Sequence, residues 1–192
     1  LVAGHDYHFG YKGEGNPQRL QQTCQALGIG CDIIPKVEQE GITVSSTYIR
    51  TLLESGDLDR ARQFLGHPHQ FTGTVVPGTR LGRTLGAPTA NLKVSPELLL
   101  PPHGVYACRV WVQGEAHLAV TNIGVRPTVS GQGLTIEPWL LDYDGDLYGQ
   151  RITLELWHFL RGEQRFPSLE ALQAEIHRNA SQTRAFFAAH ST

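Results

Sequence analysis

The pattern of the sequence changes near residue 70, and this change most restricts the folds open to the chain. Before it, helical and strand signals alternate: an amphipathic segment at 19–27 precedes a short apolar run at 31–35 and two more helical segments. After it, short apolar runs are separated by Gly, Pro and Asp turns. Alternating elements are typical of α/β domains, whereas successive short strands are typical of antiparallel sheets. We therefore predict two domains, 1–66 and 67–192.

The second domain is predicted to be a mainly antiparallel six-stranded β-barrel with a C-terminal helix. Strands of this length and number can close into a small barrel, which leaves no long unpaired edge. The helix is expected to begin after Ser168 as its N-cap, with apolar residues at helical spacing that cover the barrel. Five of the strand segments can be located, at 70–76, 105–112, 117–123, 134–142 and 151–160, with hairpin turns predicted at 113–115 and 144–146.

Composition excludes several classes of protein. The chain has 192 residues, 40% hydrophobic content and a formal net charge of −2, so it lacks the Lys and Arg excess of a dedicated nucleic-acid binder. It contains no apolar run of 18 residues and no secretory leader, which predicts a cytoplasmic protein that does not bind membranes. The sequence begins at Leu1 within an apparent strand, and we expect it to be part of a longer protein. It does not determine the oligomeric state.

Cysteine and histidine do not point to a metal site. Cys24, Cys31 and Cys108 are odd in number and too widely spaced for a zinc knuckle, so we predict reduced thiols. The one close histidine pair lies in His67-Pro68-His69, where a solvated linker explains the sequence better than a ligand set. We assign no metal to histidine.

Residues 78–91 form a Gly- and Arg-rich loop that suits a polyphosphate. Its glycines, Gly78, Gly82 and Gly86, allow the backbone to approach an anion, and Arg80 and Arg83 supply cationic donors for phosphate oxygens. Pro88 then fixes the chain, so that Thr89 and Asn91 alternate onto one side, where a hydroxyl and an amide oxygen suit Mg²⁺ or its neighbours. The alternative is an ordinary Gly-rich hairpin loop.

Glu137 is the candidate catalytic carboxylate. Period-2 alternation places it on the same strand face as Trp139 and Leu141, where a charged side chain among large apolar residues requires an explanation. It is either a general base for phosphoryl transfer to an alcohol or a rim residue that reaches water or an arginine. Pro138 cannot donate to a strand ladder, so this strand is expected at an edge or a bulge.

Two loops carry weaker signals. In 160–166, Arg161 or Phe166 could stack against a flat heterocycle, but a solvated strand-to-helix connection explains the same residues. Residues 146–149 are either a hairpin end or a place where Tyr148 packs near an adenine. Spacing alone does not choose between these interpretations.

Several motifs taken together resemble the riboflavin kinase family in order and spacing over essentially all of 71–190. They are Thr72-Gly73-Thr74-Val75-Val76-Pro77-Gly78, Gly86-Ala87-Pro88-Thr89-Ala90-Asn91, Pro102-His103-Gly104-Val105-Tyr106, Asn122-Ile123-Gly124-Val125-Arg126-Pro127-Thr128, Asp146-Leu147-Tyr148-Gly149 and Phe159-Leu160-Arg161. Upstream, Gly4-His5-Asp6-Tyr7-His8-Phe9-Gly10 and Val44-Ser45-Ser46-Thr47-Tyr48-Ile49-Arg50 are similar to two motifs of the FMN adenylyltransferase module of bacterial bifunctional riboflavin kinase/FAD synthetases.

The resemblance implies a set of site residues. Glu137 would deprotonate the ribityl hydroxyl of riboflavin, and Thr89 and Asn91 would organise Mg²⁺ and the ATP phosphates. The ATP site would comprise Val76, Gly78, Arg80, Gly82, Gly86, Pro88, Thr89, Asn91, Leu147, Tyr148 and Gly149, and the flavin side would comprise Asn122, Arg161, Glu163 and Phe166 together with Glu137. In the remnant of a Rossmann-like nucleotidyltransferase domain, Asp6, Phe9, Ser46, Thr47 and Arg50 would face the second ATP and FMN.

The chain departs from the family pattern at a few positions. Ala87 stands where an aromatic is common, Pro138-Trp139 replaces a usual Val-His, and Asn179 occupies a helix position often held by Asp. None of these removes a group that the kinase step needs. The His-x-Gly-His motif of the nucleotidyltransferases does not occur in the 192 residues. The resemblance therefore predicts that this chain phosphorylates riboflavin to FMN with ATP and Mg²⁺, and that a full-length parent also makes FAD.

Two other functional classes fit parts of the same sequence. A non-catalytic barrel that binds a flavin or a nucleotide would need the same loop but no base at Glu137. A barrel for single-stranded nucleic acid would need a basic groove lined with aromatic residues, which the near-neutral charge disfavours.

Overall fold

The computed structural model describes residues 1–78, 86–128 and 131–190, with the backbone alone at 126–128, 131 and 132. By its internal contacts the chain divides into two units, Leu1–Tyr48 and Ile49–Thr192. From the sequence, a boundary between two functional domains is predicted at residues 66 and 67. The division by contacts does not test that boundary, which stays a prediction.

The first unit is built on a parallel strand pair joined by a helix. β1 (Val2–Gly4) pairs with β2 (Asp32–Ile34), and α1 (Pro17–Ala26) connects them. The Asn16 side chain accepts a 2.9 Å hydrogen bond from the Arg19 amide and Pro17 stands at the first position, which together fix where α1 begins. A parallel pair requires such a crossover, so the α/β character predicted for this part is confirmed. A short hairpin, β3 (Glu38–Gln39) and β4 (Ile42–Thr43), follows.

The second unit contains one six-stranded antiparallel sheet in the order β6-β5-β10-β7-β8-β9. β6 and β9, the two ends of this order, lie in contact, so the sheet nearly closes into the predicted barrel. The strands are β5 (His69–Val76), β6 (Asn91–Lys93), β7 (Gly104–Val112), β8 (Glu115–Thr128), β9 (Gly131–Leu140) and β10 (Arg151–Gly162).

Helices also contact this sheet. α2 (Ser46–Ser55), which crosses the boundary between the two units, leads to α3 (Leu58–Leu65), which is capped by Asp57 and contacts β5 and β10. The C-terminal helix, α4 (Leu169–Ala189), is capped by Ser168, whose hydroxyl accepts from the Ala171 amide, and it contacts β7 and β8. The predicted N-cap and the predicted C-terminal helix are thus both confirmed.

The barrel interior is filled by alternate side chains of its strands. Tyr106, Cys108, Ile123, Ile152 and Leu154 are all at most 1% exposed. The Tyr106 hydroxyl donates to the Pro102 carbonyl, and burial raises the pKa of this phenol well above its ordinary value. Burial likewise raises the pKa of the Cys108 thiol to about 12, so this cysteine is an inert core residue. All three cysteines are free, as predicted.

Some local predictions were wrong. Residues 144–146 do not form a hairpin, because β9 and β10 are not neighbours in the sheet and the chain crosses between them in a longer loop. β6 was missed because it is only three residues long and begins inside the Pro-Thr-Ala-Asn motif. No helix in the described ranges has the length and apolarity needed to span a bilayer.

Candidate functional site

The predicted base and one predicted flavin residue occupy directly opposite positions on neighbouring strands. Glu137 of β9 is in register with Asn122 of β8. Ile136, Pro138 and Leu140 point into the buried interior, so the alternation of β9 places Glu137 and Trp139 on the other face. Glu137 is half-buried there. Cross-strand partners lie about 5 Å apart at Cβ, so an amide and a carboxylate meet at this point.

Pro138 joins this strand to the segment 88–91. Its carbonyl accepts a 2.9 Å hydrogen bond from the Ala90 amide. β9 is the last strand in the sheet order, so the proline occupies the edge position predicted for it. Because Ala90 stands between Thr89 and Asn91, this bond brings both predicted metal residues to the strand that carries Glu137.

The end of β5 and the start of β6 approach each other closely. Asn91 is in register with Val76 of β5, and the Gly78 backbone lies so close to the Asn91 amide that a Cβ built on Gly78 would overlap it. Gly86 has a φ of 74°, a left-handed conformation that favours glycine. The predicted residues Arg80 and Gly82, and Arg83 beside them, lie outside the residues that the structure describes.

A cleft of about 410 Å³ opens beside Thr89. Pro88 and Thr89 line one part of it, and Leu147 and Tyr148 line another. The Gly149 amide donates to the Val75 carbonyl at 2.9 Å, and the Val75 amide donates to the Gln150 carbonyl at 2.9 Å, so 147–150 is fixed against β5. Most of the residues predicted for ATP that the structure describes therefore line this cleft or adjoin it.

Sequence reasoning missed other residues that line the same cleft. They are Val75, Ala90, Leu140, Tyr143, Asp144, Gly145 and Asp146. In the sequence analysis, 144–146 is interpreted as a hairpin turn and no prediction is made for Tyr143. The Tyr143 ring meets His117 edge-on at a centroid distance of 4.9 Å, which fixes this loop against β8.

The second predicted group gathers at the start of the loop after β10. A Cβ built on Gly124 would overlap the Glu163 carboxylate, and the same point lies 3.6 Å from the Asn122 amide nitrogen. Glu163 therefore sits over β8 next to the residue that faces Glu137. The Arg161 guanidinium lies over the Phe166 ring at 5.5 Å, and its Nε donates to Asn179 of α4 at 3.1 Å. Burial lowers the pKa of Arg161, while the nearby Glu175 carboxylate opposes that change.

Thr89 and Asn91 offer two oxygen atoms of the kind that suits a magnesium ion. The Thr89 hydroxyl and the Asn91 amide oxygen are neutral hard ligands, and Mg²⁺ in such sites takes further ligands from phosphate and water. The space that a Cβ on Gly78 would fill is occupied by the Asn91 amide, so this side chain packs directly against the Gly78 backbone. Among the residues described, no three His, Cys, Asp or Glu side chains cluster as a metal site.

The residues predicted for the second ATP and FMN lie in two short segments, and Arg50 alone among them belongs to the second unit. The carboxylate of Asp6 approaches Gly4, since a Cβ built there would lie 3.0 Å from its Oδ1. The Phe9 ring covers Gly15 and stacks on Tyr7 at 5.6 Å. Ser46, Thr47 and Arg50 lie in the first turns of α2, whose start is capped by the Ser45 hydroxyl. Their assignment to a second ATP and FMN stays a prediction.

Comparisons with known proteins match both parts of the chain. The profile of the riboflavin kinase family matches residues 65–187, and that of the FAD synthetase family matches residues 1–48. A curated relative from Listeria monocytogenes, a bifunctional riboflavin kinase/FMN adenylyltransferase, is 39% identical over 98% of this chain. A relative of the same name from Pseudomonas fluorescens is 41% identical over 98% of the chain. The chain spans about 60% of the length of both relatives.

A solved structure shares the fold over nearly the whole chain. It is described as a macrolide-efflux protein from Streptococcus pneumoniae, with a TM-score of 0.83 and 30% sequence identity. The match covers 95% of this chain and 60% of that protein.

Proposed function

The chain belongs to the riboflavin kinase family, and from this premise we propose that it transfers the terminal phosphoryl group of ATP to the ribityl hydroxyl of riboflavin. The observation that carries the proposal is the 2.9 Å hydrogen bond between the Ala90 amide and the Pro138 carbonyl. It joins the segment that holds Thr89 and Asn91 to the strand that holds Glu137. A phosphate-binding element and a proton acceptor at one place are the two parts that phosphoryl transfer to an alcohol requires.

In this mechanism Glu137 accepts the proton of the primary hydroxyl of riboflavin while the hydroxyl oxygen attacks the γ-phosphorus of ATP. The bond between that phosphorus and the β,γ-bridging oxygen breaks, ADP leaves with the bridging oxygen, and Glu137 later returns its proton to water. Thr89 and Asn91 bind and orient the triphosphate end, and the cleft beside Leu147 and Tyr148 takes the rest of the nucleotide. A bound Mg²⁺ would neutralise charge on the phosphate oxygens.

Asn122 and Glu163 are the residues expected to bind the flavin beside Glu137. Asn122 is in register with Glu137, and the Glu163 carboxylate lies over the neighbouring Gly124. Donors and acceptors are thus available beside the reacting hydroxyl, where orientation contributes much of the rate. We expect small-molecule substrates and no nucleic-acid partner, and a cytoplasmic location because the phosphoryl donor is ATP.

The test is a product analysis. The chain is incubated with riboflavin and Mg·ATP, flavins are separated by chromatography, and ADP is measured in the same samples. We expect FMN and ADP in equal amounts, and neither without riboflavin. Riboflavin or ATP binding without FMN formation would instead indicate a non-catalytic binding barrel and would reject the kinase proposal.

We further propose that a longer protein containing these residues adenylates FMN to FAD. The match of 1–48 to the FAD synthetase family and the names of the two relatives support this. The His-x-Gly-His motif is not among the 192 residues. With FMN and Mg·ATP, the chain is therefore expected to release no pyrophosphate and to form no FAD. FAD formation by this chain would show that its own residues suffice.

A further inference from the structure

The buried side chain of Asn179 connects α4 to the end of β10. Asn179 is 1% exposed, and its Oδ1 accepts a 3.1 Å hydrogen bond from Arg161 Nε. Its Nδ2 donates to Glu175 Oε1 and to Gln182 Oε1, each at 3.2 Å. Three of the four hydrogen-bonding positions of the amide are therefore used. A buried amide satisfied in this way fixes the position of the group that it binds.

Arg161 is held on three sides by the protein. Its Nε bonds Asn179, its Nη1 donates to the Gly162 carbonyl at 3.0 Å, and its face lies over the Phe166 ring. Glu175 Oε1 lies 3.5 Å from Nε and supplies a negative charge nearby. Within the described residues Nη2 makes no hydrogen bond or ion pair. A guanidinium has five N–H donors, so this edge remains able to bind an acceptor.

The geometry of the strand end relates this guanidinium to the candidate site. Arg161 is in register with Val105 of β7, and Val105 is in register with Asn122 of β8. Two residues after Arg161, the Glu163 carboxylate lies over Gly124. The side chain that α4 holds is therefore on the strand end that leads directly to the residues around Glu137.

From this network we propose that Asn179 is a positioning residue for the flavin, which holds Arg161 so that its Nη2 edge donates to an acceptor atom of bound riboflavin. This inference rests on the proposed kinase function. It assigns to a helix outside the site the task of orienting Arg161, the cation among the residues predicted for the flavin side. The Asn179 amide and the Glu175 carboxylate act as a pair. The Asn179 amide nitrogen donates to Glu175, and the Asn179 amide oxygen accepts from Arg161.

The pair allows a test by charge exchange. Asn179→Ala removes the acceptor of Arg161 Nε, and Asn179→Asp keeps an acceptor but faces the Glu175 carboxylate with a like charge. The double variant Asn179→Asp with Glu175→Gln has one carboxylate and one amide, as in the natural chain. Ser181→Ala, at an exposed position of the same helix, is the matched control.

We expect Asn179→Ala to raise the KM for riboflavin about tenfold, the scale of one hydrogen bond to a charged group, with the KM for ATP within about twofold. Asn179→Asp should also raise the riboflavin KM, and the double variant should return it to within about threefold of the natural value. Thermal unfolding of each variant is measured alongside. A lower unfolding temperature with both KM values unchanged, or an equal rise in both, would overturn the proposal.

Direct binding separates this inference from the kinase proposal. Riboflavin fluorescence is titrated with the chain and its variants without ATP. A natural chain that binds riboflavin but forms no FMN contradicts the proposed function alone, and a tenfold weaker binding by Asn179→Ala would still support the positioning role. Equal riboflavin affinity of the natural chain and Asn179→Ala would refute it.

Discussion

The amide of Ala90 and the carbonyl of Pro138, 2.9 Å apart, form the contact on which the candidate site depends. Thr89 and Asn91 are the sequence neighbours of Ala90, and Glu137 is the sequence neighbour of Pro138. Because consecutive Cα atoms are about 3.8 Å apart, all three residues have their backbones close to this hydrogen bond. Proline has no amide hydrogen, but its carbonyl accepts fully. The edge strand can therefore bind the segment 88–91 at a residue that would weaken an inner strand.

Replacing Glu137 by Gln should abolish most of the FMN formation but leave riboflavin binding nearly unchanged. The amide keeps the size of the side chain but cannot accept the hydroxyl proton, so we expect FMN formation to fall at least about 100-fold. Riboflavin affinity, followed by fluorescence, should change by less than about threefold. Glu115→Gln, at an exposed hairpin position of the same sheet, serves as the control. Unchanged turnover in Glu137→Gln would exclude the carboxylate as the base.

Gly78→Ala tests the close contact between the Gly78 backbone and the Asn91 amide. A Cβ at this position would overlap the Asn91 amide, so the side chain must move from the place that it holds beside Thr89. Displacements of about 1 Å can cost about 100-fold in rate, and we expect at least a tenfold loss in kcat/KM for ATP. Gly30→Ala, where a Cβ meets no atom within 4 Å, should leave activity unchanged.

The double variant Gly78→Ala with Asn91→Ala gives a sharper result. Once the Asn91 amide is removed, the added methyl group no longer meets the three atoms nearest to it, so the double variant should be no less active than Asn91→Ala alone. The two effects should therefore be strongly non-additive. Additive losses would mean that Gly78 acts through something other than Asn91.

The sequence predicted the long strands well because each carries its own alternation and turn residues. β7 and β10 were found nearly to their ends, whereas β6 was missed because three residues give no periodic signal. The turn at 144–146 was misread because local turn chemistry does not reveal which strands pair. The pairing of Glu137 with Asn122 depends on register, which periodicity alone does not fix. The roles of these residues came from resemblance to a family and remain predictions.

Glu155 should be important for stability rather than for catalysis. This carboxylate is 8% exposed and accepts hydrogen bonds from Trp111 Nε1 at 2.7 Å and Trp157 Nε1 at 3.0 Å, with Arg109 Nη1 at 4.0 Å. Glu155→Leu leaves two indole donors and a guanidinium without their acceptor. We expect a loss of about 3–5 kcal/mol in the free energy of unfolding, measured by urea denaturation.

Glu155→Gln is the matched variant for that prediction. It keeps one acceptor oxygen, so the loss should be smaller, about 1–3 kcal/mol. FMN formation per folded molecule should be unchanged in both variants, because Glu155 lies in a groove with Gln70, Thr72 and Thr153 rather than in the cleft beside Thr89. A Leu variant as stable as the natural chain would show that the indole donors find other partners.

The stability of the chain should fall in mildly acid solution because of His69 at the start of β5. Burial lowers the pKa of His69 below its ordinary value of 6.5, and repulsion from His67 adds to this, while the 2.9 Å hydrogen bond that Nε2 donates to the Leu99 carbonyl opposes it. In the unfolded chain the ring takes up a proton near its ordinary pKa, but the folded chain resists it. The stabilisation is therefore present above about pH 6.5 and is lost as the pH falls through the lowered folded-state pKa.

The free energy of unfolding, measured by urea denaturation from pH 7.5 to 5, should decrease more steeply for the natural chain than for His69→Gln. Parallel curves for the natural chain and His69→Gln would contradict the prediction.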